Sequence, residues 1–220
     1  GFHKASNYQV CNAKYEINYT KFDLKIKNVS SKNLHIKNIS LNLIGKHNVL
    51  NATAAISLCL NLGLKENAIK KALKNFSGVQ RRLTKVFKKN KIEFYDDYAH
   101  HPTEIESVLD GVKVIAKKRK IISIFQPHRY SRIKSLKLEF ASCFKNSDQV
   151  ILCPVYAAGE QTDKTYNKNK FAKLISKFSK TQVILIENET DLTKYLKKNL
   201  IKNEIIIGMG AGSISKWMHN

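Results

Sequence analysis

One segment of the chain combines two arginines and a histidine around the start of a predicted helix. It covers residues 126–132, reads QPHRYSR, and places His128, Arg129 and Arg132 close together. A guanidinium group can hold two oxygen atoms of a carboxylate or phosphate, and helix N-termini commonly bind such anions. The segment is therefore our strongest candidate for an anion-binding site. Pairing of both arginines with surface carboxylates is the simpler alternative.

A second segment carries carboxylates and imidazoles. Residues 96–102 read DDYAHHP, in which Asp96 and Asp97 are followed by two adjacent histidines. Neighbouring side chains of an extended loop point in opposite directions, so at most one of His100 and His101 needs a functional role. A metal-dependent hydrolase that uses Asp96, Asp97, His100 and His128 is a further hypothesis, although the sequence contains no Cys/His zinc pattern.

A third segment, at 208–213, is rich in glycine and reads GMGAGS. Glycine permits close backbone approach and positive φ angles, so the segment suits either a tight structural turn or a ligand-binding loop. Its spacing is not that of a dinucleotide fingerprint, and the chain contains no G-x-x-x-x-G-K-[ST] phosphate-binding loop. The glycines by themselves therefore do not predict a nucleotide.

All three segments follow short apolar runs. The runs at 92–95, 121–125, 150–153 and 205–207 are predicted strands, and predicted helices alternate with most of them. Continuous apolar strands that alternate with helices are typical of a parallel sheet covered on both faces. Because ligands bind beyond the carboxyl ends of such strands, we expect these segments and residues 154–160 (PVYAAGE) to share one edge of the sheet.

The remaining predicted elements complete an α/β pattern. A helix is expected from Thr103, with a capping box formed by Thr103 and Glu106 behind Pro102. Further helices follow Ser131 and cover residues 168–178 and 190–200. Residues 14–44 predict short strands, and helices are expected at 48–62 and 65–76. The pattern changes near residues 78–82, where we place a domain boundary.

The chain is strongly basic, with 39 Lys and Arg residues against 17 acidic residues and a net charge of +22. The lysines are scattered along predicted helices, which favours a solvated basic surface and leaves a nucleic-acid-binding α/β module as the alternative. The four cysteines show neither close pairing nor metal-ligand spacing, which predicts a reduced, cytosolic protein. No apolar run is long enough to cross a bilayer.

Four collinear motifs give the chain a family resemblance. They are GKHNVLNATAAI at 45–56, FSGVQRR at 76–82, DDYAHHPTEI at 96–105 and QPHRYSR at 126–132. The first two resemble the end of the central ATP-binding domain of the Mur ligases and the hinge that follows it. The last two resemble the family member that adds alanine. The resemblance implies that residues 1–80 are the C-terminal part of the central ATP-binding domain. Residues 81–220 would be the C-terminal domain, an α/β fold with a Rossmann-like, mostly parallel sheet.

The resemblance implies an activity as well as a fold. A cytoplasmic Mur ligase of this kind uses ATP and Mg²⁺ to join L-alanine to UDP-N-acetylmuramate through an acyl phosphate. The UDP-binding domain, the phosphate-binding loop and the metal ligands are expected in N-terminal domains of the same enzyme, outside this chain. The chain is accordingly expected to be inactive alone.

Residue roles are implied in the same way. Asn48 and Asn51 would contact adenine from one helix face, and His47 would frame the nucleotide. Arg81 or Arg82 would reach the ribose or phosphates, and Asp96 or Asp97 would approach the ATP. An acidic residue usual in the family is replaced by Ser213, so no role is implied there. The muramoyl-alanine end would be held by four side chains, of which the last three would be catalytic: Tyr98, His100, Arg129 and Arg132.

Overall fold

The computed structural model describes residues 1–16, 19–29 and 32–219. The chain divides into two compact units, Gly1–Gly78 and Val79–Asn220. Among the helices of the described residues, none combines the length and the apolar composition needed to cross a membrane.

The first unit is a three-stranded antiparallel sheet with two helices. The strands follow one another in the order β1-β2-β3. The elements are β1 (Tyr8–Tyr15), β2 (Thr20–Val29), β3 (Lys32–Leu41), α1 (Lys46–Asn61) and α2 (Glu66–Asn75).

Alternation of apolar and polar residues explains this unit. Along β2, the side chains of Phe22, Leu24 and Ile26 are buried, while the residues that alternate with them are polar and include the exposed Lys25 and Lys27. A strand with this alternation places one face on a core and the other in water. Helix α1 covers the apolar face with residues at helical spacing, including Val49 and Ile56, which are almost fully buried. The first unit therefore has a core of its own.

The second unit is a six-stranded sheet with helices between its strands. The strand order is β4-β5-β9-β6-β7-β8. Strand β4 is antiparallel to β5, and all the other pairs are parallel. This arrangement confirms the predicted α/β fold with a mostly parallel sheet. In chain order the elements are β4 (Thr84–Lys89), β5 (Ile92–Asp97), α3 (Pro102–Ala116), β6 (Ile121–Phe125), α4 (Tyr130–Ser135), α5 (Lys137–Ser142), β7 (Gln149–Leu152), α6 (Lys168–Ser179), β8 (Gln182–Leu185), α7 (Glu189–Asn199), β9 (Ile205–Met209) and α8 (Ile214–His219).

The central strands are covered on both faces. Every residue of β6, β7 and β9 is buried. Phe125 and Val150 belong to the core on one side of the sheet, whereas Ile124 and Ile151 belong to the core on the other side. Helices on both faces account for the continuous apolar runs that predicted these strands.

Several helices begin one or two residues away from the predicted start. Helix α3 begins at Pro102, and its capping box joins His101 to Glu104 rather than Thr103 to Glu106. Proline suits the first helical position because it has no N–H to leave unpaired, and it holds the preceding residue in an extended conformation. Helix α1 begins at Lys46, two residues before the predicted start at 48.

Candidate functional site

The polar segments lie side by side at the carboxyl edge of the second unit's sheet. Strands β5, β9 and β6 are neighbours, and Asp97, Met209 and Phe125 occupy matching register positions at their ends. Two backbone hydrogen bonds join the loops that follow. Gly210 N donates to Asp97 O over 3.2 Å, and Gln126 N donates to Met209 O over 3.0 Å.

Four side chains from these loops, together with Arg81 from the segment before β4, form a continuous row along the edge. The Arg81 guanidinium lies 4.7 Å from the ring centroid of Tyr98. Successive ring centroids are then 5.2 Å apart from Tyr98 to His100, 5.6 Å from His100 to His128 and 5.7 Å from His128 to Tyr156. We call Arg81, Tyr98, His100, His128 and Tyr156 the edge row. It connects the loops after β5, β6 and β7.

Arg132 reaches the edge row from helix α4. Its Nη1 lies 3.1 Å from Nδ1 of His128, four residues earlier in the chain. Burial and the neighbouring Arg132 guanidinium lower the pKa of His128, which favours the neutral imidazole. The structure therefore brings together two of the predicted catalytic residues, His100 and Arg132, and inserts His128 between them.

Arg129 adopts a strained backbone conformation at the start of the same helix. It is the N-cap of α4 and has φ 69° and ψ 134°. Its N–H donates to the carbonyl of Tyr156 over 2.9 Å, which fixes the loop against its neighbour. Non-glycine residues rarely hold such angles unless the surroundings impose them, and such residues cluster at functional sites. The Arg129 side chain itself is exposed.

The two adjacent histidines do different things. His101 Nδ1 accepts a hydrogen bond from Thr103 N over 3.3 Å, so this ring caps helix α3. His100 Nδ1 lies 2.9 Å from the carbonyl oxygen of Tyr98, and its ring belongs to the edge row. At most one of the pair was expected to be functional, and only His100 lies in the row.

Both candidate aspartates are buried and bind groups of their own unit. Asp97 accepts hydrogen bonds from Leu83 N over 2.7 Å and from Ala99 N over 2.8 Å. Burial raises the pKa of Asp97 to about 6, although the two N–H donors favour the charged form. Asp96 accepts a hydrogen bond of 2.5 Å from Ser215 Oγ. Asp97 thus holds the chain around Leu83 and Ala99, and Asp96 joins strand β5 to helix α8.

The two arginines at the start of the second unit have different surroundings. Arg81 Nη2 donates to Gly210 O over 2.5 Å, and its Nε lies 3.6 Å from an Asp96 carboxylate oxygen. Together with the Tyr98 ring, these contacts fix the guanidinium on three sides. Arg82 is exposed and lies 3.9 Å from a carboxylate oxygen of Glu104. Arg81 is therefore the better positioned of the two.

The adenine candidates lie in the first turns of α1, in the first unit. Asn48 Nδ2 donates to Ile44 O over 2.8 Å, which leaves its Oδ1 as an acceptor. Asn51 is exposed, three residues later on the same helix face. The His47 ring lies against Gly45, where an added Cβ would come within 2.8 Å of His47 Cε1. An amide oxygen that can accept and an exposed amide suit the paired donor and acceptor edge of adenine.

The glycine-rich segment serves close packing of the loops. A Cβ on Gly212 would lie 2.4 Å from Tyr156 Cγ and 2.6 Å from Gln126 Oε1. Gln126 also donates from Nε2 to Ser213 Oγ over 3.0 Å and accepts from Ile214 N over 3.0 Å. Of the two possibilities left open by the sequence, the tight structural turn accounts for these contacts.

Sequence reasoning singled out neither Gln126 nor Tyr156 as a site residue. Gln126 is 3% exposed and is a polar residue directly after a buried apolar strand. That position was a usable signal, because buried amides need hydrogen-bond partners. Tyr156 reaches the site through a β-bridge between His128 and Tyr156, for which the sequence offers no local signal.

The hypothesis of a metal-dependent hydrolase does not fit this geometry. Within residues 1–16, 19–29 and 32–219, no group of three His, Cys, Asp or Glu side chains is arranged to hold a metal ion. The carboxylate oxygens of Asp97 already bind backbone N–H groups, and His128 Nδ1 is engaged with Arg132.

Comparison with known proteins identifies the family. The model of the Mur ligase, glutamate ligase domain, matches residues 81–212. The chain is 48% identical over 218 residues to the UDP-N-acetylmuramate–L-alanine ligase of Pelagibacter ubique, covering 99% of this chain and 47% of that protein. It is 39% identical over 199 residues to the ligase of the same name from Bartonella tribocorum, covering 90% of this chain and 42% of that protein.

A solved structure agrees with these relatives. The UDP-N-acetylmuramate-alanine ligase MurC from Thermotoga maritima superposes with a TM-score of 0.76 and 27% identity, covering 98% of this chain and 45% of that one. The chain spans about half the length of the curated relatives it matches. None of these names points to nucleic-acid binding, so the alternative of a basic nucleic-acid-binding module gains no support. Because the family model matches more than half of the residues of this chain, the chain belongs to the Mur ligase family.

Proposed function

We propose that the chain forms the C-terminal portion of an ATP-dependent ligase that joins L-alanine to the lactyl carboxylate of UDP-N-acetylmuramate. Residues 1–80 belong to the central ATP-binding domain, and residues 81–220 form the C-terminal domain. N-terminal domains of the same enzyme supply the UDP site, the phosphate-binding loop and the Mg²⁺ ligands. The enzyme acts in the cytoplasm, in peptidoglycan synthesis.

One observation supports this proposal more strongly than the others. The relative from Pelagibacter ubique has this activity in its name, and its 48% identity extends over 99% of the chain. The similarity therefore includes both units and every loop of the carboxyl edge. The edge row supports the proposal, because it gathers a guanidinium group and two imidazoles at one edge of the sheet, as the binding of an acid substrate and an amine would require.

The chemistry explains why cations are needed at that edge. A carboxylate is a poor electrophile, and transfer of the γ-phosphoryl group of ATP to it creates an acyl phosphate with a good leaving group. The amine of L-alanine attacks the acyl carbon, and the tetrahedral intermediate expels phosphate. Negative charge develops on oxygen at each stage, and positioned N–H donors stabilise it. Arg129 and Arg132 supply these donors next to His128. Mg²⁺, when bound with ATP, neutralises phosphate charge.

The nucleotide contacts are assigned to polar groups at the start of α1 and at the start of the second unit. Asn48 offers its free Oδ1 and Asn51 its exposed amide to adenine, and His47 lies beside them on α1. Arg81 binds ribose or phosphate oxygens, because Gly210 O, Asp96 and the Tyr98 ring hold its guanidinium in place. Asp96 and Asp97 act at the ATP through the groups they position. Tyr98 and His100 hold the muramoyl-alanine end.

The test uses a full-length ligase that contains this chain. Phosphate release is measured with MgATP and UDP-N-acetylmuramate in the presence of L-alanine, D-glutamate or no amino acid. We expect sustained release only when L-alanine and UDP-N-acetylmuramate are both present. Release that is independent of UDP-N-acetylmuramate, or equally fast with D-glutamate, would contradict the assignment.

A further inference from the structure

Hydrogen bonding fixes the position of the ring proton on His128. Its Nδ1 lies 3.1 Å from Nη1 of Arg132. A guanidinium group has only donors, so Nδ1 of His128 must be the acceptor and carry no proton. The ring is then neutral, with its proton on Nε2, since a doubly protonated ring would face the guanidinium N–H with an N–H of its own. His128 therefore offers Nε2–H as a donor.

The opposite reasoning applies to His100. Its Nδ1 lies 2.9 Å from the carbonyl oxygen of Tyr98 and 3.6 Å from a carboxylate oxygen of Glu104. Both neighbours are acceptors, so Nδ1 of His100 must carry the proton. In the neutral ring, Nε2 is then an unprotonated base. No hydrogen bond within the described part of the chain uses Nε2 of either ring.

We propose that His100 and His128 carry their protons on opposite ring nitrogens, and that Nε2 of His100 accepts a proton from the ammonium group of the incoming amino acid. The proposal deepens the proposed ligase function and rests on it. Neither a role as proton acceptor nor the complementary donor role of His128 follows from residue type alone. Both follow from the atoms that Nδ1 of each ring contacts.

The step balances in protons and electrons. One N–H bond of the ammonium group breaks, and its proton forms an N–H bond at Nε2 of His100. The electron pair left on nitrogen forms the bond to the acyl carbon, and the acyl phosphate bond breaks with its electrons on the departing phosphate. As phosphate leaves, a second N–H bond of the former ammonium group breaks and its proton passes to the departing phosphate, which leaves the neutral amide. The imidazolium then returns its own proton to water. The Nε2–H of His128 donates a hydrogen bond to an oxygen of the acyl group as charge builds up there.

The charges around the two rings support these assignments. A Glu104 carboxylate oxygen lies 3.6 Å from Nδ1 of His100, so the ring faces an acceptor on the Nδ1 side. The charges around His128 are those of Arg132, Arg129 and His100, with Glu160 opposing them. The centroids of the two rings are 5.6 Å apart, close enough for one reacting centre to contact both.

The first test is nuclear magnetic resonance of this chain, labelled with ¹⁵N on its histidine rings. The nitrogen shifts distinguish protonated from unprotonated ring nitrogens, and His100→Asn and His128→Asn assign the signals. We expect the proton on Nδ1 in His100 and on Nε2 in His128 at pH 7.5. His101 is an internal reference, because Thr103 N donates to its Nδ1 and requires the proton on Nε2. A proton on Nε2 of His100, or on Nδ1 of His128, would overturn the proposal.

The second test separates amine activation from acyl phosphate formation in a full-length ligase. L-Alanine reacts only after its ammonium group loses a proton, whereas hydroxylamine is largely neutral at pH 7.5 and needs no base. The variant His100→Asn keeps an amide N–H that can bind Tyr98 O but has no Nε2. We expect its rate of amide formation to fall by about 10²- to 10⁴-fold, while hydroxamate formation with hydroxylamine changes little.

The outcomes of the second test can be told apart. If the wild-type enzyme forms neither amide nor hydroxamate, the proposed function fails. If His100→Asn loses both products equally, or keeps amide formation, His100 is not the proton acceptor. The matched control is His101→Asn, which retains a side-chain acceptor at the N-cap of α3 and should form the amide at the normal rate.

Discussion

The backbone strain at Arg129 makes a prediction that can be measured without substrate. With φ at 69° and ψ at 134°, the residue lies where glycine is comfortable and other residues are not. Such a conformation costs about 1–3 kcal/mol. Replacement by glycine relieves that strain but adds about 0.5–1 kcal/mol of entropy to the cost of folding. Arg129→Ala also removes the side chain beyond Cβ, but it keeps the Cβ and therefore the backbone strain.

The comparison of the two variants therefore isolates the effect of backbone strain on stability. Arg129→Gly should exceed Arg129→Ala in free energy of unfolding by about 0.5–2 kcal/mol, or about 1–8 °C in Tm for a chain of this size. The preference for glycine over alanine at N-caps acts in the same direction. Urea and thermal unfolding of this chain, followed by circular dichroism, provide both values.

The matched control pair lies on an exposed helix position. Lys173 is exposed within α6, and there Lys173→Gly should be less stable than Lys173→Ala by about 1 kcal/mol. If glycine at position 129 is also the less stable choice, by a similar amount, Arg129 is not strained and the reasoning fails.

Three other predictions concern closely packed groups of the chain. The folded state raises the pKa of Asp97 to about 6. Protonation of Asp97 therefore stabilises the folded state fully below the ordinary carboxyl pKa, and this stabilisation is lost as the pH rises through 6. In urea unfolding, the wild type should exceed Asp97→Asn in free energy of unfolding by about 2 kcal/mol less at pH 7.5 than at pH 4.5. An unchanged difference would mean that Asp97 has an ordinary pKa. Gly212→Ala should lower the free energy of unfolding by about 1–3 kcal/mol in the same assay, because the added Cβ would overlap the Tyr156 ring. An unchanged free energy of unfolding would show that the loops can move apart. Burial raises the pKa of Cys153 to about 12, so a thiol reagent at pH 8 should modify the half-buried Cys11 before Cys153, and equal rates would contradict this burial.

The parallel sheet was predictable because its strands are buried on both faces. The run at 121–125 is apolar throughout, apart from Ser123, and coincides with β6. Such a run is typical of a strand that is covered on both faces. The alternation with helices then determines the edge of the sheet at which the loops lie together. The family followed from motifs in two of these loops and from two further motifs at 45–56 and 76–82.

Other features depend on contacts that the sequence does not display. Both Thr103…Glu106 and His101…Glu104 have capping-box spacing, and only the position of Pro102 at the first helical residue selects the second. The contact between His128 and Arg132 depends on where α4 begins, which the positive φ of Arg129 sets. The partners of Asp97 are backbone N–H groups, which no side-chain pattern reveals.

The central claim is that the loops at the carboxyl edge hold the reacting end of the substrate through Arg129 and Arg132. The most direct measurement is kcat/KM of a full-length ligase with Arg129→Lys or Arg132→Lys, compared with Lys197→Arg on the exposed face of α7. A planar guanidinium can clasp two oxygens at once, and an ammonium group cannot reproduce that geometry. Each arginine variant should lose on the order of 2–3 kcal/mol of transition-state stabilisation, roughly 30- to 150-fold in kcat/KM, while Lys197→Arg changes it by well under 1 kcal/mol. Near-normal kcat/KM in both arginine variants would leave these loops with only a structural role.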